Sequence, residues 1–126
     1  MSTNRIYRQL DAAVDVETIT ASKSLDVNDS SKTFLVGTDA LVITLPSTVL
    51  GLRYKFVNTG ADGAAIITIS PAAADGITYA GTATDNKDLI LTKATAKRGD
   101  RVTIASLDGT VAWQVMEVKG IWAKEA

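Results

Sequence analysis

The residues that could do chemistry in this 126-residue chain are oxygen ligands, lysines and a few aromatics, because it contains no histidine and no cysteine. Those two absences remove the commonest general base, the commonest metal ligand, thiolate nucleophiles and Cys-based metal centres. Three polar clusters remain. "DVNDSS", Asp26–Ser31, places oxygen ligands at alternate positions, as a calcium loop does. Its sixth position is Ser31 rather than Gly, and its twelfth is Gly37 rather than Glu. A polar turn with side-chain-to-backbone hydrogen bonds is therefore expected there. "DNKD", Asp85–Asp88, offers two carboxylates beside a lysine. Such a pair runs acid–base chemistry only if its two environments differ, and water in an open loop would equalise them.

"KATAKRGDR", Lys93–Arg101, is the densest basic run. It could meet phosphates, or acidic residues of a partner protein. It has no interleaved aromatics, and the net charge is -1, so a solvated loop is the simpler expectation. Within it Arg98-Gly99-Asp100 matches the tripeptide read by cell-adhesion receptors, and Asn28-Asp29-Ser30 matches a glycosylation sequon. The opening residues carry no secretory signal, so the first is expected to be a β-turn and the second a chance match. Trp113 and Trp122 could stack on sugars. Trp113 has the parity of a core residue, whereas Trp122, next to Ile121, is expected at a terminal or intersubunit contact. None of the phosphate-loop, dinucleotide, zinc-protease or nucleophile-elbow patterns occurs. The chain is expected to be a scaffold or binding protein without a cofactor, and not an enzyme.

The elements that must hold these residues are strands. The hydrophobic fraction of 46% and charged fraction of 21% suit one globular domain. Residues 1–16 are polar and mixed. Arg5–Ala13 could form a short helix with Ile6 and Leu10 on one side, too short to hold alone in water. They are read as an arm that docks on a neighbour, with 17–126 as the β domain. From Glu17 the pattern has period two. Ile19, Ala21 and Leu25, then Leu41, Ile43 and Leu45, then Tyr54 and Phe56 should face a core. Pro46 and Pro71 close strands because proline cannot donate to a ladder. Pro71–Asp88 is the loosest stretch, with Ile77–Tyr79 as its only strand-like piece. Arg101–Lys119 reads as a hairpin turning at Asp108-Gly109, with Val102, Ile104, Val111, Trp113 and Val115 inward. Met116 and Val118 then fall on the opposite parity, which signals a bulge or a second covered face. Short strands at roughly ten-residue spacing indicate an all-β sandwich or barrel, with a jelly-roll as one form of it.

Four stretches carry a resemblance: "KTFLV" (Lys32–Val36), "ITLPS" (Ile43–Ser47), "GLRYKFVNTG" (Gly51–Gly60) and the closing "GDRVTIAS-DG--WQV" pattern (Gly99–Val115). Over roughly Asp29–Gly120 the chain resembles small β-rich virion proteins of tailed bacteriophages, the head decoration or cement proteins and related fibre modules. The resemblance implies a protein of the outer capsid surface, commonly trimeric, that bridges major capsid subunits against internal pressure. It would be assembled in the host cytoplasm and would bind neither nucleic acid nor membrane directly. Candidate partner contacts are Arg5, Ile6, Tyr7 and Leu10 in the arm, Tyr79 in the loose stretch, and Ile121 and Trp122 near the end. The alternatives are a receptor- or glycan-binding fibre module, which needs an exposed Tyr79 or Trp122, and a carboxylate enzyme, which needs two acids across a cleft.

Overall fold

The computed structural model describes residues 15–49, 51–81, 84–107 and 112–126. The arm candidates Arg5, Ile6, Tyr7 and Leu10, the Asp108-Gly109 turn and Val111 lie outside the described residues. Asp15 and Val16, grouped with the arm by the sequence, open the first strand. The strands are β1 (Asp15–Ile19), β2 (Lys23–Ser24), β3 (Lys32–Val36), β4 (Leu41–Thr44), β5 (Arg53–Asn58) and β6 (Ile67–Ser70). They continue as β7 (Gly76–Thr78), β8 (Leu89–Leu91), β9 (Arg101–Ala105), β10 (Ala112–Lys119) and β11 (Trp122–Lys124). Short 3₁₀ turns at Val27–Asp29 and Lys93–Thr95 interrupt the links.

The strands form a β-sandwich of two mixed sheets. One sheet has the order β1-β3-β5-β9-β10-β7 and the other β11-β8-β6-β4-β2. From β1 to β9 the chain changes sheet at every link. Two strands in the same sheet are therefore joined through a strand of the opposite one. This route lets β1, β3 and β5 pair in parallel, as do β2, β4 and β6, whereas β6 and β8, also joined through an opposite strand, pair antiparallel. A parallel pair needs a crossover, and here the crossover is another strand rather than a helix. Strands β8 to β11 then add antiparallel neighbours on both sheets. The parallel half separates this fold from a jelly-roll, whose strands pair antiparallel.

The period-two pattern places the core, except that Ala21, expected inward, lies in the bend between β1 and β2 and is exposed. Phe34, Phe56 and Val102 form one row across β3, β5 and β9, all fully buried. Leu41, Ile67, Leu91 and Trp122 form another across β4, β6, β8 and β11. Trp122 is thus a core residue, 4% exposed, and not the subunit contact the sequence suggests. The antiparallel pairing of β11 on β8 sets it opposite Leu91, and its indole N–H donates to the Lys119 carbonyl at 3.0 Å. The expected bulge is present: the β9–β10 register shifts between Val115 and Glu117. Met116 and Val118 beyond it stay exposed, so no second layer covers them.

The turn at Lys97–Asp100 is bolted to the end of β5. The buried Asn58 side chain donates to the Lys97 carbonyl at 2.9 Å and accepts from the Gly60 N–H at 3.0 Å. Asp100, 2% exposed, accepts from the Lys97 N–H at 2.8 Å. The Arg98-Gly99-Asp100 triplet is therefore a structural turn whose carboxylate faces inward. Gly120, between β10 and β11, packs on that carboxylate with φ +101, a region unfavourable for any residue with a Cβ. A Cβ there would overlap the Asp100 carboxyl carbon. Gly120→Ala should lower stability by about 3 kcal/mol, as clash and backbone strain act together. Gly51→Ala, where φ is +88 but the space is open, should lose only about 1 kcal/mol. Urea unfolding midpoints of the two variants check the difference.

Candidate interaction surfaces

The "DVNDSS" segment builds no cation site. Asp26 caps the first 3₁₀ turn by accepting the Asn28 N–H, and the Asp29 carboxylate accepts the Asp26 N–H in return. Asp29 is 7% exposed and belongs to a cluster of four charges. Lys32 donates to Asp29 and to Glu17, each at 3.1 Å, and Lys23 pairs with Glu17 and lies 3.9 Å from Asp29. Lys23 also sits over the Phe34 ring, 5.7 Å from its centre. The cluster ties β1, β2 and β3 to one another. Burial alone would raise the Asp29 carboxyl, but the Asp26 N–H, Lys32 and Lys23 outweigh it and hold it below its ordinary value. Lys23 and Lys32 do the same for Glu17. Beneath the cluster the Tyr54 hydroxyl donates to the Asp26 carbonyl at 2.7 Å. Burial, with Asp29 and Asp26 adding negative charge, pushes its pKa up to about 12.

The basic run at Lys93–Arg101 is largely neutralised where it stands. Lys93 pairs with Asp39, and Lys97 lies 3.5 Å from Asp62, which also accepts the Arg98 N–H. In "DNKD", Lys87 lies 3.5 Å from Glu125 and the Asp88 main-chain carbonyl accepts the Glu125 N–H, so this segment holds the C-terminal residues. Among the described residues no three acidic side chains gather in a metal-holding arrangement.

A concentration of cations, including Arg101 at the end of the basic run, lies on the outer face of the six-stranded sheet. The register sets two rows across it. One runs Val16, Thr33, Lys55, Thr103, Glu117, and the other runs Thr18, Leu35, Val57, Arg101, Lys119. Arg53 lies two residues before Lys55 on β5. Ser31, Lys32, Thr33, Arg53, Lys55 and Thr103 line a shallow groove of about 280 Å³ here. Ser31 holds φ 72 at its lip, and its N–H donates to the Arg53 carbonyl at 2.6 Å. Glu117 is the carboxylate of this face. It lies 3.8 Å from Lys55 and 3.5 Å from Arg101. Among the described residues Arg53 and Lys119 have no salt bridge. The sequence analysis missed this patch because its charges are spread over three strands that only the register brings together. Their outward parity was the available signal.

A second groove of about 280 Å³ lies beside β10, lined by Tyr79, Gln114, Met116, Glu117 and Val118 among others. Of the predicted contacts, Tyr79 is half-buried here, against exposed Met116 and Val118. Ile121 is 56% exposed on the link between β10 and β11, and only Trp122 beside it is withdrawn into the core.

The charge cluster makes an acid-side prediction. A carboxyl whose folded pKa is depressed adds stability above its unfolded pKa and loses it as the pH falls through the folded one. The ordinary values are 3.8 for Asp29 and 4.5 for Glu17, so the contribution is complete at neutral pH and fades as the pH falls below about 4.5. Melting temperatures from pH 7 to 2 should therefore fall less steeply in Glu17→Gln/Asp29→Asn than in the unmodified protein, from a lower start at pH 7. Parallel curves would refute this role. Compared with known proteins, the chain matches no family model, and no curated protein matches its sequence.

Proposed function

We propose that this chain is a structural protein of a tailed-phage virion, a capsid decoration protein that binds the outer head surface and bridges major capsid subunits. The observation that supports it best is the outer face of the six-stranded sheet. It is broad, set on a sandwich whose turns are bolted down, and it carries unpaired cations beside half-buried Leu35 and Val57. A surface of this kind suits contact with another protein, with many modest contacts summed over a shell. The resemblance of Asp29–Gly120 to decoration proteins points the same way. Assembly as a homotrimer at local three-fold positions belongs to this reading, with residues 1–14 as an arm that reaches the capsid or an adjacent protomer. The fibre-module reading rests on Tyr79 alone, since Trp122 is in the core.

Light scattering and co-sedimentation with empty heads of the phage that encodes the chain test the proposal. A trimer that pellets with heads is expected. A monomer that stays in the supernatant at saturating head concentration overturns it, and a glycan screen of the Tyr79 groove then becomes the next experiment. Deleting residues 1–14 leaves β1 and every later strand intact. That variant should unfold cooperatively yet no longer pellet. Undiminished pelleting would refute the arm.

A further inference from the structure

We infer that the outer face of β5, β9 and β10 is a recognition site for an extended acidic polypeptide segment, read by Arg53, Lys55, Arg101 and Lys119. The inference deepens the proposed function by giving the chemistry of the partner, and it rests on that reading only for where the segment comes from.

The geometry is a diagonal stripe. Arg53 and Lys55 are two residues apart on β5, about 7 Å along the strand. Lys55 to Arg101 is a diagonal step to β9, about 7–8 Å, and Arg101 to Lys119 is a direct cross-strand step of about 5 Å. An extended segment with acids at alternate positions repeats at about 7 Å, which matches the first two of these steps. Thr33 flanks Lys55 in its row and supplies a hydroxyl for a remaining carboxylate lone pair, whereas the buried Thr103 hydroxyl already donates to Glu117 at 3.5 Å.

Two independent features argue that this charge is meant for a partner. Arg101 and Lys119 face each other directly across the β9–β10 ladder, and like charges so placed destabilise a sheet. Away from this face several lysines are matched to an anion locally, as Lys93 with Asp39, Lys97 with Asp62 and Lys87 with Glu125. On this face Glu117 is shared between Lys55 and Arg101 and leaves a surplus. A nucleic acid fits the surface less well. Phe34, Tyr54, Phe56 and Trp113 all point into the core, so the described strands offer no stacking platform here. Glu117 would also repel a phosphate chain, whereas a polypeptide can set a hydroxyl or a lysine against it.

The probe is a fluorescein-labelled ten-residue peptide alternating Asp and Thr, titrated with the full chain at about 20 mM and about 300 mM salt. A ten-nucleotide oligothymidylate runs beside it. Binding of the peptide at low salt is expected, weakened about tenfold or more by the higher salt and by Arg53→Glu/Lys55→Glu. Lys93→Glu/Lys97→Glu changes net charge equally away from the face and should leave binding within about twofold. Thermal melts confirm that both variants fold. Failure to bind the peptide, equal loss in the two variants, or tighter binding of the oligonucleotide would overturn the inference. Co-sedimentation separates it from the decoration reading. Peptide binding without head binding removes the capsid as the partner and leaves the site standing. Head binding untouched by Arg53→Glu/Lys55→Glu removes the site and leaves the capsid reading standing.

Discussion

Phe34, Phe56 and Val102 lie side by side on β3, β5 and β9 without exposed surface, and this row joins the parallel half of the molecule to the antiparallel half. The Phe34 and Phe56 rings stack with centres 5.6 Å apart, and Tyr54 bridges from Phe34 at 6.4 Å to Trp113 at 5.6 Å. Such pairs contribute about 0.5–1.5 kcal/mol each beyond the area they bury. Their larger effect is on topology. Strands of two to eight residues cannot hold alone, and each has one apolar face to cover. A chain that turns back within one sheet after every strand would build that sheet before its cover exists. This chain instead crosses to the other sheet at each early link, so each new strand lands on the apolar face of the last.

That route leaves the links as arches between sheets, and arches have few partners of their own. The protein ties them with buried polar groups. The Asn58 side chain and Asp100 hold the turn before β9, and the Asp75 carboxylate accepts the Thr48 N–H across the link between β4 and β5. The Glu17–Lys23–Asp29–Lys32 cluster fastens the first turn of the coil. A buried or half-buried carboxylate with a full set of donors fixes geometry more than it adds stability. The result is a set of links fastened by side-chain hydrogen bonds and ion pairs to the strands they join.

Which residues face inward was legible in the sequence. Ile43, Tyr54, Phe56, Ile104 and Trp113 all follow from alternation, and the phase slip after Val115 marks the bulge. Strand direction was not legible. A link such as Gly37–Ala40 has the length of a hairpin loop, and nothing in its composition says that it crosses between sheets. Trp122 was misplaced for a related reason. Its neighbour Leu91 lies on β8, and only the pairing of β11 with β8 brings the two together. The basic face was invisible on the same ground, because charge runs along the chain drew attention to Lys93–Arg101. There the folded chain supplies Asp39 and Asp62, while Arg53, Lys55 and Lys119 lie on strands apart from the run and join Arg101 only through the register.

Folding alone does not require cations on the outer face of a sheet. Threonine or serine at those positions would suit a solvated strand as well and would avoid the Arg101–Lys119 juxtaposition. The cost is modest, since exposed charges are well screened by water and salt. A modest cost of that kind has no compensation inside the protomer beyond Glu117. Charge surplus on one face of a chain with net charge -1 also means that the remaining surface is more acidic than the whole. On the proposed reading the face receives an acidic segment, and the spacing set by the β5–β9–β10 register decides which of its carboxylates fit.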